Sequence, residues 1–301
     1  MPGNAAIAKA IEGLMRGRMA VPGARPDVLV GLAGRGIQLS RSPDMHEREA
    51  ARLGLSCAYV LIDFDAIGLA DDDLRAAIDA AALFGFHGLN ITYPFKQSVM
   101  PLLDVIDADA TAIGAVNTVV FGQRRTGHNT DCWGYAESFR AAMSGAALGH
   151  VVLVGAGGAG SAVSYALVAL GARRISIVDA DVSRARTLAA RLGGAGISAL
   201  AVADIGTALA DADGVVNTTP VGMAKFPGTP FDTRHLHSSQ WVSDVIYFPQ
   251  ETELLRQAQA LGCRTLPGIG MAIGQAARAF ELFTGRAADL SAMERHFEAA
   301  A

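Results

Sequence analysis

The sequence predicts a two-domain α/β protein, and three observations lead to this fold class. The chain has 301 residues, enough for two domains of ordinary size. Short apolar segments alternate along it with longer segments of helical spacing, which is typical of parallel strands joined by helices. A glycine-rich turn at 155–160 connects one apolar segment to one helical segment. We therefore predict two α/β units, built on the pattern of a parallel sheet covered by helices on both faces.

The N-terminal half is predicted to contain strands and helices in alternation after an N-terminal extension at 1–25, which is long enough for one short helix. The segment 42–55 starts with Ser-Pro and is predicted to be a helix, because proline fits the first helical position. Acidic residues open a second predicted helix at 71–85. The other predicted elements are strands at 27–34, 57–64, 87–94 and 113–121, and a helix that begins within 127–143.

From residue 150 the alternation becomes regular and predicts a Rossmann-like, doubly wound parallel sheet. The predicted elements are a strand, glycine turn and helix over 150–172, strands at 173–181, 197–204, 213–220, 241–249 and 263–268, and helices at 182–193, 251–262 and 271–284. We predict an N-terminal domain at 26–131, completed by C-terminal helices at 271–301, and a nucleotide-binding domain at 132–270.

Composition excludes several classes of protein. Apolar residues make up 51% of the chain and charged residues 18%, which is typical of a globular protein with a buried core. The net charge of −4 gives no reason to expect nucleic acid or an anionic membrane as a partner. Cys57, Cys132 and Cys263 are far apart and form no metal-binding spacing, so we expect a reducing, cytoplasmic location and no metal. The expected partner is a small molecule, and the expected state is a monomer or homodimer.

The turn GAGGAG fits the dinucleotide-binding pattern G-x-G-x-x-G. Glycines let the backbone approach a pyrophosphate, and the start of the following helix favours its negative charge. The alternative is a glycine turn that serves only tight packing between strand and helix. The predicted cofactor-binding residues of this turn are Gly155, Ala156, Gly157, Gly158, Ala159 and Gly160.

Asp179 ends the next predicted strand, 24 positions after Gly155. A carboxylate there accepts hydrogen bonds from the ribose hydroxyls of NAD and repels the 2′-phosphate of NADP. Arg184 and Arg186 follow closely and weaken this exclusion. NAD is therefore the favoured cofactor, and the alternative for Asp179 is a solvated loop acid.

Lys96 lies in the segment NITYPFKQ (90–97), at a turn after a predicted strand. The chain has only three lysines among its 25 basic residues, and lysine, unlike arginine, can lose its proton when desolvated. Such a group suits the proton transfer that accompanies hydride transfer to a nicotinamide. The alternative is a surface lysine whose stem packs over Phe95. Asp131 is a candidate partner, with the alternative that it caps a helix starting at Cys132.

Short motifs recur along the chain beside the two already described. The full set is LSRSP (39–43), NITYPFK (90–96), GAVNT (114–118), GHNTD (127–131), GAGGAG (155–160), NTTPVGM (217–223) and GMAIGQAA (270–277). Taken together, these segments resemble the shikimate dehydrogenase family, whose motifs stand in the same order, and the resemblance covers about 26–290. The family reduces 3-dehydroshikimate to shikimate reversibly with a nicotinamide cofactor, and some members act on quinate and 3-dehydroquinate.

The resemblance implies roles for individual residues. Lys96 matches the catalytic lysine, and Asp131 matches its carboxylate partner. Ser40 and Ser42 match the serines that bind the ring carboxylate. The positions that match other substrate-binding residues are Thr92, Asn117, Tyr247 and Gln275, and those that match residues lining the nicotinamide are Val245 and Gly268.

One departure from the commonest family pattern concerns the cofactor. NADP-dependent members usually carry N-R-[TS] after the second strand of the nucleotide domain, where this chain reads VDADVSRAR. Asp179 followed by Arg184 is similar to the NAD-using quinate/shikimate branch. Ser42 points away from quinate, because quinate-accepting relatives frequently have threonine there. We predict activity on both substrates with NAD; the alternatives are an NADP- or aminoshikimate-type variant, a non-catalytic NAD-binding sensor, and a relative of methylene-tetrahydrofolate dehydrogenase.

Overall fold

The computed structural model describes residues 3–19, 25–194 and 196–299, which form two compact units. The first unit contains the chain up to Thr130 and from Gln275 onward, and the second runs from Asp131 to Gly274. The strands are β1 Val28–Gly34, β2 Cys57–Asp63, β3 Gly88–Ile91, β4 Val105–Ile106, β5 Thr118–Val120, β6 Thr126–His128, β7 His150–Val154, β8 Arg174–Val178, β9 Ser198–Ala201, β10 Gly214–Asn217, β11 Trp241–Asp244 and β12 Arg264–Leu266. The helices are α1 Asn4–Arg18, α2 Ser42–Arg52, α3 Leu74–Leu83, α4 Ala108–Ile113, α5 Thr130–Ala142, α6 Gly158–Ala169, α7 Val182–Gly194, α8 Ile205–Leu209, α9 Glu253–Ala260, α10 Ile269–Thr284 and α11 Leu290–Ala299.

The first unit has a mixed sheet in the order β2-β1-β3-β5-β6-β4. Strands β1, β2 and β3 are parallel, whereas β5 is antiparallel to both β3 and β6. The alternation of strands and helices is typical of a parallel sheet, and β5 departs from that pattern in this unit. The connection at 121–125 between β5 and β6 is too short for the crossover that parallel neighbours need, which makes this pair antiparallel.

Helix α1 belongs to the core of the first unit. Ile7 and Ile11, one turn apart, are 1% and 0% exposed and join the same hydrophobic cluster as strands β1, β2 and β3. The segment that the sequence predicts to be an N-terminal extension therefore supplies buried side chains to this core. Residues 20–24 of that segment lie outside the described residues.

The second unit has a fully parallel sheet in the order β12-β11-β10-β7-β8-β9. The chain winds from β7 to β9 in one direction and then from β10 to β12 in the other, which confirms the doubly wound prediction. In such sheets ligands bind beyond the carboxyl ends of the strands where the order reverses. Here the reversal lies between β7 and β10, and the glycine turn follows β7 directly.

Among the described helices, none combines the length and apolar character needed to span a bilayer.

Candidate active site

The two serines of LSRSP lie at the start of α2 in the first unit. Ser42 is the first residue of the helix, and its backbone N–H donates to Ser40 Oγ at 3.3 Å. The Ser40 N–H donates in turn to the carbonyl of Ile37 at 2.9 Å. Both side chains are half-buried. Two hydroxyls beside the N–H groups of a helix start are suited to bind a carboxylate.

The turn after β3 carries Thr92 and Lys96. Phe95 is 1% exposed and packs on Phe64, with ring centroids 4.4 Å apart. The Lys96 carbonyl accepts a hydrogen bond from the Val116 N–H at 2.8 Å, and its side chain is half-buried. Phe95 is therefore part of the core and anchors the turn from which Lys96 extends.

Asn117 holds the chain just before Asp131. Its Nδ2 donates to Thr130 Oγ1 at 2.9 Å, and its Oδ1 accepts from the Thr130 N–H at 2.7 Å. Asn117 stays a predicted substrate contact, and these bonds give it a second, structural task. Helix α5 begins at Thr130, so the alternative that Asp131 caps a helix starting at Cys132 is wrong. Asp131 lies in the first helical turn and is 6% exposed.

Sequence reasoning missed His128, although it lies within the GHNTD motif. Its Nδ1 is 2.6 Å from Asp107 Oδ2, and Asp107 also accepts the Ala110 N–H at the start of α4. This pair ties β6, the strand that leads to Asp131, to the beginning of α4. The signal in the sequence was the histidine in the motif, but its partner lies 21 positions away.

The two ends of the glycine turn in the second unit pack closely against each other. Gly155 has φ of +102°, a conformation that favours glycine, and a Cβ at Gly160 would lie 2.1 Å from the Gly155 carbonyl oxygen. Thr218 Oγ1 donates to that oxygen at 2.9 Å. A Cβ at Gly157, by contrast, would meet no protein atom within 4 Å. The turn therefore leaves open space at the start of α6, where the sequence predicts that a pyrophosphate binds.

Asp179 lies immediately after β8 and is half-buried beside this turn. Its Oδ2 accepts the Ala156 N–H at 2.6 Å, and its Oδ1 accepts the Asp181 N–H at 2.8 Å. A carboxylate has about four acceptor sites, so two bonds leave capacity for ribose hydroxyls. Arg184 Nε lies 3.5 Å from Asp181 Oδ2, on the surface of α7.

A buried polar network, which sequence reasoning missed, joins the ends of β10 and β11. Asp244 Oδ1 accepts from Asn217 Nδ2 at 3.1 Å and from the Ile246 N–H at 3.1 Å, and its Oδ2 accepts from Thr252 Oγ1 at 2.8 Å. Asn217, Asp244 and Thr252 are each 0% exposed. The network therefore fixes the NTTPVGM loop, the turn after β11 and the start of α9 to one another.

Burial raises the pKa of Asp244 to about 6 from an ordinary value of 3.8, against the opposing effect of its hydrogen bonds. The folded state therefore holds this proton to a higher pH than the unfolded state does. Binding of the proton stabilises the fold fully below about pH 4, and this stabilisation is lost as pH rises through 6. Asp244→Asn has no proton to lose and keeps the acceptor oxygen. As pH rises from 4 to 7, wild type should therefore lose stability that the variant keeps. The free energy of unfolding of Asp244→Asn relative to that of wild type should increase by up to about 3 kcal/mol over this range.

Urea unfolding at a series of pH values measures this difference. Ser243→Ala, one residue earlier on β11, keeps the titrating carboxyl and should follow the slope of wild type. A constant difference between Asp244→Asn and wild type across this range would show that Asp244 does not titrate there.

The residues predicted to face the nicotinamide lie close together in the second unit. A Cβ on Gly268 would lie 2.3 Å from the Val245 carbonyl oxygen, so only glycine fits against this segment. Val245 is half-buried and Tyr247 is 37% exposed. Gln275 lies on α10, in the first unit, and is half-buried. Within the described ranges, no three His, Cys, Asp or Glu side chains are grouped to hold a metal ion.

Three family models match the chain. Residues 32–119 match the shikimate dehydrogenase substrate binding domain, residues 140–223 match shikimate / quinate 5-dehydrogenase, and residues 268–296 match the shikimate 5′-dehydrogenase C-terminal domain.

Individual proteins are similar over nearly the whole chain. A Corynebacterium glutamicum protein named quinate/shikimate dehydrogenase (NAD(+)) is 47% identical over 90% of this chain and 98% of its own length. A Streptomyces avermitilis protein named shikimate dehydrogenase (NADP(+)) is 52% identical over 87% of this chain and 91% of its own. The structure of quinate dehydrogenase from Corynebacterium glutamicum in complex with NAD superimposes with a TM-score of 0.86, at 47% identity, over 90% of this chain and 99% of that one. The chain is an oxidoreductase and belongs to the shikimate dehydrogenase family.

Proposed function

We propose that this enzyme is a quinate/shikimate dehydrogenase that uses NAD. It interconverts shikimate and 3-dehydroshikimate, and quinate and 3-dehydroquinate, at carbon 3 of the ring. The observation that carries the proposal is Asp179, bound to the Ala156 N–H of the glycine turn, in a chain 47% identical to a relative named for both substrates and for NAD. A ribose hydroxyl can donate to this carboxylate, whereas a 2′-phosphate would meet a like charge.

The two parts of the chain divide the work in this proposal. Residues 26–131 with 271–301 bind the substrate, and residues 132–270 bind NAD. Ser40 and Ser42 hold the ring carboxylate. Each ring hydroxyl needs a polar partner once it is buried. The side chains proposed for that task are Thr92, Asn117, Tyr247 and Gln275.

Lys96 and Asp131 are proposed to form the acid–base pair. When bound, NAD supplies the hydride acceptor for carbon 3, and its reduced form supplies the hydride donor for the reverse direction. The pair takes the proton from the carbon 3 hydroxyl during oxidation and returns it to the ketone oxygen during reduction. Two features support these roles: Phe95 anchors the turn that carries Lys96, and Asp131 directly follows Thr130, whose backbone Asn117 holds.

Initial rates on shikimate and quinate, each with NAD⁺ and NADP⁺, test the proposal. We expect turnover of both substrates with NAD⁺ and little with NADP⁺. The 52% identity to a relative named for NADP favours a second candidate, an NADP-dependent shikimate dehydrogenase. A rate with NADP⁺ above that with NAD⁺ would select this second candidate, and NAD⁺ binding without turnover of either substrate would refute both.

Asp179→Asn should separate the two cofactors. Removing the charge while keeping the side-chain volume weakens the acceptor for ribose hydroxyls and the repulsion of a 2′-phosphate. We expect the KM for NAD⁺ to rise roughly tenfold and the ratio of NADP⁺ to NAD⁺ efficiency to increase.

The matched control is Asp204→Asn, which removes a surface acid that caps α8 in the same unit and should leave both cofactor constants unchanged. An unchanged KM for NAD⁺ in Asp179→Asn would exclude the ribose assignment.

A further inference from the structure

Asp63, the last residue of β2, is 2% exposed and accepts four hydrogen bonds. Its Oδ1 accepts from the N–H groups of Gly36 at 3.0 Å and Asp65 at 3.1 Å. Its Oδ2 accepts from the Ile37 N–H at 3.0 Å and from Gln38 Nε2 at 2.9 Å. Three of the four donors belong to consecutive residues, two as backbone N–H groups and one as the Gln38 side chain, so one carboxylate holds a continuous piece of the chain.

This piece of backbone leads directly to the two serines, and we call residues 36–42 the serine loop. Ile37, which donates to Asp63, accepts the Ser40 N–H with its carbonyl at 2.9 Å. Ser40 Oγ then accepts the Ser42 N–H at 3.3 Å. A chain of three hydrogen bonds therefore connects Asp63 to the first residue of α2.

Arg35 fixes the entry to the serine loop. Its N–H donates to the Tyr93 carbonyl at 3.0 Å, in the turn that also carries Lys96. Its guanidinium donates to Asp71 Oδ1 at 2.7 Å and to Asp65 Oδ1 at 2.5 Å, both beyond the end of β2. The loop thus starts from a fixed point, and its path from there is set by the bonds to Asp63.

We propose that Asp63 is a positioning residue that sets Ser40 and Ser42 for the carboxylate of the substrate through the serine loop. It does not itself touch the substrate. The inference rests on the proposed function, which assigns the ring carboxylate to these two serines. It extends that function by a residue outside all the motifs of the family resemblance.

The charge of Asp63 is what allows this arrangement. A carboxylate is an acceptor at both oxygens, whereas the amide of asparagine would turn an NH₂ group toward two of the four donors. Burial by itself would raise the pKa of Asp63, but the bonds from Gln38, Gly36 and Ile37 lower it below its ordinary value. The group is therefore ionised at neutral pH, with all four donors paired.

Asp63→Asn tests the inference because it keeps the shape of the side chain and removes two acceptor positions. We expect the KM for shikimate to rise roughly tenfold or more, with a much smaller change in kcat, because carboxylate binding is lost equally from ground state and transition state. The Kd for NAD⁺, measured by titration calorimetry on the full chain, should stay within about twofold of wild type. Asp27→Asn is the matched control, since Asp27 accepts from the Ser56 N–H and Oγ at the opposite end of β2 and should leave the KM unchanged.

Ser40→Ala and Ser42→Ala, measured in parallel, separate this inference from the proposed function. If both leave the KM for shikimate unchanged, the carboxylate assignment fails and the inference fails with it. If they raise the KM and Asp63→Asn does not, only the inference is overturned.

Should Asp63→Asn not fold, Gln38→Met decides. It removes one surface donor to Asp63 and should raise the KM for shikimate by about two- to threefold. An unchanged KM in a folded Gln38→Met would then overturn the inference.

Discussion

Replacing Lys96 by alanine should lower kcat by about 10²–10⁴-fold, the usual contribution of a positioned acid–base group. The substitution removes the amine proposed to carry the proton but leaves its support intact, because Phe95 packs on Phe64 and the Lys96 carbonyl keeps its bond to the Val116 N–H. The Kd for NAD⁺ should therefore stay within about twofold. Steady-state rates on shikimate, with NAD⁺ binding measured separately, provide the test.

Two further variants define this result. Lys9→Ala removes an exposed lysine of α1 in the same unit and should leave kcat unchanged. Asp131→Asn should lower kcat to a similar degree as Lys96→Ala. The double variant should be little worse than either, because in the proposal the two residues act as a unit. Activity within a few-fold of wild type in Lys96→Ala would remove Lys96 from the chemistry.

Gly157→Ala should abolish most NAD affinity without disturbing the fold. A methyl group at this position meets no protein atom within 4 Å, so the unliganded protein has no steric reason to lose stability. It would occupy the space through which the backbone approaches a pyrophosphate. We expect the Kd for NAD⁺ to rise by roughly 100-fold, because the attraction of the pyrophosphate to the partial positive charge of the helix start and several backbone hydrogen bonds are lost together.

Two glycines of the same unit are the controls for this experiment. Gly160→Ala places a Cβ 2.1 Å from the Gly155 carbonyl oxygen, so it should lower the melting temperature as well as the affinity for NAD⁺. Gly193→Ala, on the exposed face of α7, should raise stability slightly and leave NAD⁺ binding alone. Wild-type NAD⁺ affinity in Gly157→Ala would show that the pyrophosphate does not lie against this turn.

Several strand boundaries differ from the sequence prediction for local reasons. Of the strand predicted at 113–121, only the three residues of β5 form a strand. Helix α4 extends to Ile113, and Gly114 ends it with φ of +71°. The strand predicted at 241–249 ends at Asp244, whose side chain accepts the Ile246 N–H and so turns the backbone out of the sheet. Both segments are apolar along most of their length, so composition predicts strands that are too long. Composition does not show where a backbone N–H donates to a side chain instead of to a neighbouring strand.

The site divides in a similar way between what is local and what is not. The glycine turn, Asp179, the serines of LSRSP and the turn of Lys96 are short segments whose residue types and spacing carry their chemistry. Asp63 and the serine loop are different, because the carboxylate and its three donors in that loop are separated by 25 to 27 positions. Nothing in the residues around Asp63 distinguishes it from other acids of the chain.

The sequence by itself determined the family, the doubly wound nucleotide-binding sheet and the candidate chemistry at Lys96, Asp131 and Asp179, because each depends on residues that are neighbours along the chain. The tertiary structure alone decided the antiparallel pairing of β5 with β3, the burial of α1 in the core, and the networks around Asp63 and Asp244. These features depend on hydrogen bonds and apolar contacts between segments that are distant along the chain. Such contacts stabilise the protein only after the sheets have brought those segments together.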